Sequence, residues 1–169
     1  RIGTDIGAGP FENYLLEQEF YESAMNGIQW IIDNKDTEWQ GAKPENYGID
    51  IISLSWGITS HEQGGSDGTD MHSQILDAAT LAGIVVSVAA GNDGPENEGL
   101  SGMGSSSLSI TVGATDDSKD LAPYSSKGPT YEGQIKPNVA AIGSSVNSVL
   151  ANTGNGYDEF SGTSMATPM

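Results

Sequence analysis

Apolar residues recur every three to four positions in "YLLEQEFYESAMNGIQWIIDN" (14–34), placing Phe20, Ala24, Ile28 and Ile31 along one side. That spacing predicts an amphipathic helix over 14–34. Glu17, Glu19 and Glu22 near its start suit the positive end of the helix dipole. The polar run "KDTEWQGAKPENYG" that follows reads as a loop. The pattern then changes. "IDIISLS" (49–55) and "IVVSVAA" (84–90) are short, β-branched and continuously apolar, as strands buried on both faces are. A Gly/Ser/Asp-rich loop (57–70) and the segment "DMHSQILDAATLAG" lie between them. Asp70 is the expected N-cap of a second helix, Met71, Ile75, Ala78 and Ala82 its inward face, and Gly83 its stop.

A strand–helix–strand unit of this kind is a crossover between parallel strands. "SLSITVGA" (107–114) reads as a further strand, and the stretch to about residue 150 as loops and shorter strands; no internal repeat appears. The expected fold class is α/β, three-layer, with a mostly parallel sheet flanked by helices. Ligands of such sheets bind beyond the carboxyl ends of the strands. Two of those ends carry conspicuous sequence, "SLSWG" and "AAGNDGP", and they are expected to lie close together.

Composition narrows the partners. The 169 residues suit one domain. With 36% hydrophobic and 7% aromatic residues the core is expected to be aliphatic and rich in small side chains. Six basic against 23 acidic residues give a net charge of -17, which disfavours nucleic acid and anionic membranes as partners. The acids are spread along the chain, as on a solvated surface. There is no cysteine, so disulfides and thiolate chemistry are excluded. No apolar run is long enough to span a membrane. The chain begins at Arg1, not Met, and a preceding segment is expected.

Three stretches carry candidate chemistry. Ser164, in "FSGTSMATPM" (160–169), sits where a helix is expected to begin. Backbone N–H groups there lack intrahelical partners and favour an oxyanion; an ordinary serine, or Thr163 before it, would simply cap the helix. Asn92 ends a strand in a Gly-Asn turn, where its amide donates to a developing alkoxide or merely completes the turn. Ser55-Trp56-Gly57 ends the other strand. Such an end can pair with an extended peptide, with Trp56 as a pocket wall, or else Trp56 is a core residue beside a turn glycine.

Taken together, these stretches resemble the subtilisin-like serine proteases, the subtilase family. "GTSMATP" is similar to the family's nucleophile motif, "VAAGNDGP" to its oxyanion-asparagine motif, and "IDIISLSWG" to its pocket strand. "SLSITVGATDDSKDLAPYSSKGP", with Ser125–Pro129, and "YESAMNGIQWII" resemble further family segments in the same order. The resemblance implies Ser164 as nucleophile, with the Asn92 side chain and the Ser164 N–H as oxyanion donors. It implies Ser55, Trp56, Gly57, Ala89, Ala90 and Gly91 as the primary pocket, and Tyr21 as an aromatic lining a more distant one. It further implies an extended polypeptide substrate, an extracellular or cell-envelope location, and either a propeptide or the missing N-terminal part as partner. No cofactor is implied for the chemistry, while structural calcium in the parent protein is left open.

The base that a serine hydroxyl needs has no match. The family draws it from a histidine motif upstream of the 14–34 helix and orients it with an aspartate. Here the two histidines are His61, in a loop, and His72, in the first turn of a helix; both read as surface residues. Asp5, in "IGTDIGAG", lacks the following hydroxyl residue and reads as a turn. "GAGP" (7–10) lacks the third glycine of a dinucleotide loop, and Gly-x-Ser-x-Gly of the α/β-hydrolases is absent around Ser164. The acidic loop "NDGPENEG" (Asp93, Glu96, Glu98) has no cation-loop spacing. Residues 1–169 are therefore expected to form the C-terminal part of a subtilisin-like catalytic core, incomplete at both ends and lacking the Asp and His segments. By itself such a chain is expected to be inactive. The alternative is a non-catalytic peptide-binding module of the same family.

Overall fold

The computed structural model describes residues 10–56, 67–96, 99–100 and 102–169, with side chains from residue 19 onward. Its first element is helix α1, Pro10–Asp33. Ala24 and Ile28 are buried at 0% and 2% exposure, and Ile31 packs beside them, so the predicted apolar side faces the core. The loop beyond α1 contains one turn of 3₁₀ helix, Pro44–Asn46.

Strand β1 is Ile51–Leu54, helix α2 Met71–Leu81 and strand β2 Val85–Ala89. The two strands pair in parallel, Ile51 opposite Val85 through Leu54 opposite Val88, as the crossover pattern requires. Asp70 caps α2, its side chain accepting from Ser73 N at 2.9 Å, which meets a helix donor that has no partner within the helix. Gly83, at φ 96°, takes the left-handed conformation after the helix, where a side chain is costly. The inward face of α2 differs from the expected one. Ser73, Leu76 and Ala79 are buried, whereas Met71 is 67% exposed. Ser73 tolerates the interior because its hydroxyl donates to Asp70 Oδ2 at 2.7 Å and Gly102 O at 2.6 Å.

β3 (Ile110–Thr115) and β4 (Val139–Ile142) extend the parallel sheet in the order β1-β2-β3-β4. Beyond it, β5 (Val146–Val149) and β6 (Tyr157–Phe160) form an antiparallel ribbon, which the sequence pattern did not predict. The last element is the single-turn helix α3, Thr163–Ala166.

The sheet separates two clusters. On one face Ile52, Val86 and Val88 pack with Ile28 of α1, Leu76 and Ala79 of α2, and Met103. On the other, Val112 and Ala114 pack with Ala166 of α3. This is the expected three-layer α/β arrangement. Burial on both faces, expected for the strands, holds only in part. Ile51 is 67% and Val85 49% exposed on the α3 side, because α3 covers the sheet only near Ser87, Val112 and Ala114.

Candidate active site

The carboxyl ends of β1 and β2 meet at α3. Ser55, directly after β1, and Ser164, second residue of α3, exchange two hydrogen bonds. Ser55 Oγ donates to Ser164 O and Ser164 Oγ donates to Ser55 O, each at 2.8 Å. After β2, Gly91 N donates to Thr163 Oγ1 at 3.3 Å, and Thr163 Oγ1 lies 3.2 Å from Gly91 O. The two strand ends singled out in the sequence thus share one short helix.

α3 is too short to be stable without tertiary support, and the sheet supplies it. Ser87 Oγ donates to Thr167 O at 2.9 Å, and Ala166 is buried against Val112 and Ala114. Neither Thr163 nor Ser164 caps the helix: the N-cap is Gly162, which has no side-chain cap bond. Gly162 N donates to Gly143 O at 2.8 Å, tying the start of α3 to the end of β4.

Asn92 is held from α3. Thr163 N donates to Asn92 Oδ1 at 2.9 Å and Thr163 Oγ1 donates to the same oxygen at 3.0 Å. With the backbone donor fixing Oδ1 as acceptor, the amide orientation follows. A Cβ placed on Gly162 would lie 3.6 Å from Asn92 Nδ2, 3.7 Å from Asn92 Oδ1 and 3.6 Å from Ser164 N. The Asn92 amide and Ser164 N therefore lie on the same side of Gly162, at ordinary contact distance. Neither nitrogen has a hydrogen-bond partner among the described residues.

The other sequence candidates fall around this point. Ala89 and Ala90 are buried at 4% and 0% exposure, the backbone at Gly91 accepts from Ser126 N at 3.0 Å, and Gly57 lies outside the described residues. Trp56 is half-buried against the α1–α2 core. Its ring meets Phe20 at 5.0 Å and 77°, and Phe20 in turn meets Tyr21 at 6.0 Å and 66°. His61, Asp5 and Glu98 also lie outside the described residues. His72, expected at the surface, is instead packed beside Tyr21 with an 18% exposed side chain.

Sequence reasoning missed two contributors. Thr163 stood inside the quoted motif, but no spacing rule says that its hydroxyl reaches 71 residues back to Asn92. Phe20 was assigned to the core face of α1, and only the fold brings Trp56 onto it. Ser126, within the Ser125–Pro129 segment, accepts from Asp93 N at 2.9 Å and so fixes the turn that follows Asn92.

Comparison with known proteins agrees with this architecture. The Peptidase_S8 model, which describes the subtilase family, matches residues 14–169. The chain is 35% identical over 172 residues to the serine protease AprX of Bacillus subtilis, covering 86% of this chain and 36% of AprX. It is 35% identical over 150 residues to pyrolysin of Pyrococcus furiosus, covering 72% of this chain and 10% of pyrolysin. Among solved structures, sphericase superposes with a TM-score of 0.65 at 27% identity, covering 87% of this chain and 46% of that one. The chain spans about a third of AprX and far less of pyrolysin. With the family model matching nearly its whole length and the parallel sheet of that family beneath it, the chain belongs to the subtilase family.

Proposed function

We propose that these residues carry the nucleophile and oxyanion half of a serine endopeptidase site. Ser164 Oγ attacks the peptide carbonyl to form an acyl-enzyme. Asn92 Nδ2 and Ser164 N–H donate to the oxyanion that develops on the carbonyl oxygen. The observation that supports this best is that both Thr163 donors occupy Asn92 Oδ1, which leaves Nδ2 as the amide's donor on the side of Gly162 where Ser164 N also lies. Donors placed in advance at the site of developing charge need no reorganisation when the bond changes. Ser55, Trp56 and the Ala89–Gly91 segment form the edge that takes the peptide backbone and the side chain before the scissile bond. Tyr21 lies further along that edge.

The base and the aspartate that orients it come from residues outside 1–169. Ser164 Oγ donates its hydrogen bond to the Ser55 carbonyl, which cannot act as a general base. His72 is engaged with Tyr21 on α1, in the layer across the sheet from α3. Residues 1–169 are thus the C-terminal part of a peptidase domain, inactive alone. The chemistry needs no cofactor. The protein works outside the cell or in the cell envelope on extended polypeptides, as the family resemblance implies.

Labelling with a fluorophosphonate tests the reading. The intact protein should label at Ser164 rapidly, and the 169-residue chain slower by orders of magnitude, because the triad members act as a unit. Equal rates would refute an external base. An intact protein that binds extended peptides but does not label would instead be the non-catalytic module.

A further inference from the structure

His72 is the second residue of α2 and packs against α1. Its ring meets Tyr21 at 5.4 Å and 69°, and from Tyr21 the contacts continue through Phe20 to Trp56. Four rings thus connect the start of α2 to the residue following Ser55. His72 Nε2 is buried and has no hydrogen-bond partner among the described residues. His72 Nδ1 lies 3.8 Å from Asp70 Oδ1, too far for a hydrogen bond, and that carboxylate is already engaged by Ser73.

This setting accepts a neutral imidazole and opposes a cation. Imidazolium presents an N–H at both nitrogens, and the one at Nε2 would be buried without an acceptor, at a cost larger for a charged donor than for a neutral one. The first turn of an eleven-residue helix also disfavours positive charge. Burial pushes the His72 pKa below its ordinary 6.5, with the Asp70 carboxylate acting in the opposite direction. Tyr21 from α1 and Asp70 from the α2 cap are the titratable groups described against the ring, while Glu19 and Glu22 of α1 are exposed.

We propose that His72 is a positioning residue for Tyr21, and that its protonation releases the Tyr21 ring and weakens binding of long peptides at the far end of the edge. The proposal rests on the peptide-binding reading given above. A neutral histidine favoured by the fold contributes stability that is complete above the ordinary pKa of 6.5. That contribution is lost as pH falls below 6.5 toward the lower folded value. Acidification therefore loosens the contact, and neutral pH restores it.

Two p-nitroanilides sharing their last residues, a dipeptide and a hexapeptide, separate the far end of the edge from the reacting end. With the intact protein, the hexapeptide KM should rise about two- to tenfold on going from pH 7.5 to about pH 5, the scale of one lost edge-to-face contact. The dipeptide KM and the ratio of the two kcat values should stay constant. His72→Phe, or His72→Leu should that variant fold better, should abolish the rise; a rise of equal size in the variant overturns the proposal. In the intact protein, proton NMR should show His72 and Tyr21 ring signals moving with one midpoint, the His72 signals being assigned by their loss in His72→Phe. Tyr21 signals that stay fixed while His72 titrates overturn the proposal independently of catalysis. Failure of both peptides to be hydrolysed, with the rings still coupled, counts against the protease reading alone and leaves the positioning role standing.

Discussion

Thr163 grips Asn92 with both of its donors, the backbone N–H at 2.9 Å and the hydroxyl at 3.0 Å, on the single oxygen Oδ1. Thr163 is fully buried, so neither donor has water to turn to, and with Oδ1 occupied the Asn92 amide keeps Nδ2 as its donor. In the proposed mechanism this relationship keeps the oxyanion donor in place before substrate arrives.

Removing the donor and loosening it should therefore differ in degree. Asn92→Ala in the intact protein should lower kcat by on the order of 10²–10³ with little change in KM, a magnitude taken from the oxyanion asparagine of subtilisin, not from this chain. Thr163→Val removes one of two bonds to Oδ1 together with the acceptor of Gly91 N; the loss at Asn92 should cost kcat about two- to tenfold, one ordinary hydrogen bond. Steady-state kinetics on both variants decides the order; a Thr163→Val loss as large as that of Asn92→Ala would mean that the threonine does more than hold the amide.

Gly143 marks how tightly α3 is set onto the sheet. A Cβ there would lie 2.7 Å from both Ala114 Cβ and Gly162 O, and 3.2 Å from Ala166 Cβ. One of those contacts is backbone and cannot swing aside. Gly143→Ala should destabilise the fold by about 1–3 kcal/mol and displace Gly162, with denaturant unfolding reporting the first effect and a fall in Ser164 labelling of the intact protein the second. A variant as stable and as reactive as the parent would show that α3 has room to shift.

Leu76 is the largest fully buried side chain of α2 and touches the core shared with α1 and β2. Leu76→Ala should cost about 2–5 kcal/mol, the loss of burial plus the cavity left behind. Met71→Ala, on the face first expected to be inward, should be nearly silent, since Met71 is 67% exposed. Urea midpoints of the pair test which side of the helix faces the core.

Lys136 is buried at 4% exposure, with Nζ donating to Ser109 O and Asn138 Oδ1, each at 2.9 Å. Burial pushes its pKa below the ordinary 10.5, with Asp77 acting the other way. A lysine depressed in the fold releases its proton before the unfolded chain does, so stability rises with pH between the lowered value and 10.5. The Tm of the parent minus that of Lys136→Met should climb in the alkaline range; a flat difference would mean that the amine is not desolvated.

Much of this protein was legible in the sequence, because the information lay in short-range pattern. The spacing of Ala24 and Ile28 specified the buried side of α1, Asp70 specified where α2 begins, and two apolar runs around that helix specified parallel strands. Local period and capping chemistry act within a few residues and so survive reading one letter at a time. The motifs around Asn92 and Ser164 were equally visible, and so was the family they belong to.

What the tertiary structure alone decided is which groups meet across long stretches of chain. Ser55 and Ser164 exchange hydrogen bonds across 109 residues, Thr163 reaches Asn92 across 71, and His72, read as a surface residue, is packed beneath Tyr21. The buried face of α2 also shifted, because Ser73 found partners in Asp70 and Gly102 that made its burial affordable. Periodicity says that a side chain points inward or outward; it carries no record of what stands opposite. That pairing is set when the sheet closes and β1, β2 and α3 are brought to one point, where each buried polar group must find its partner or be expelled.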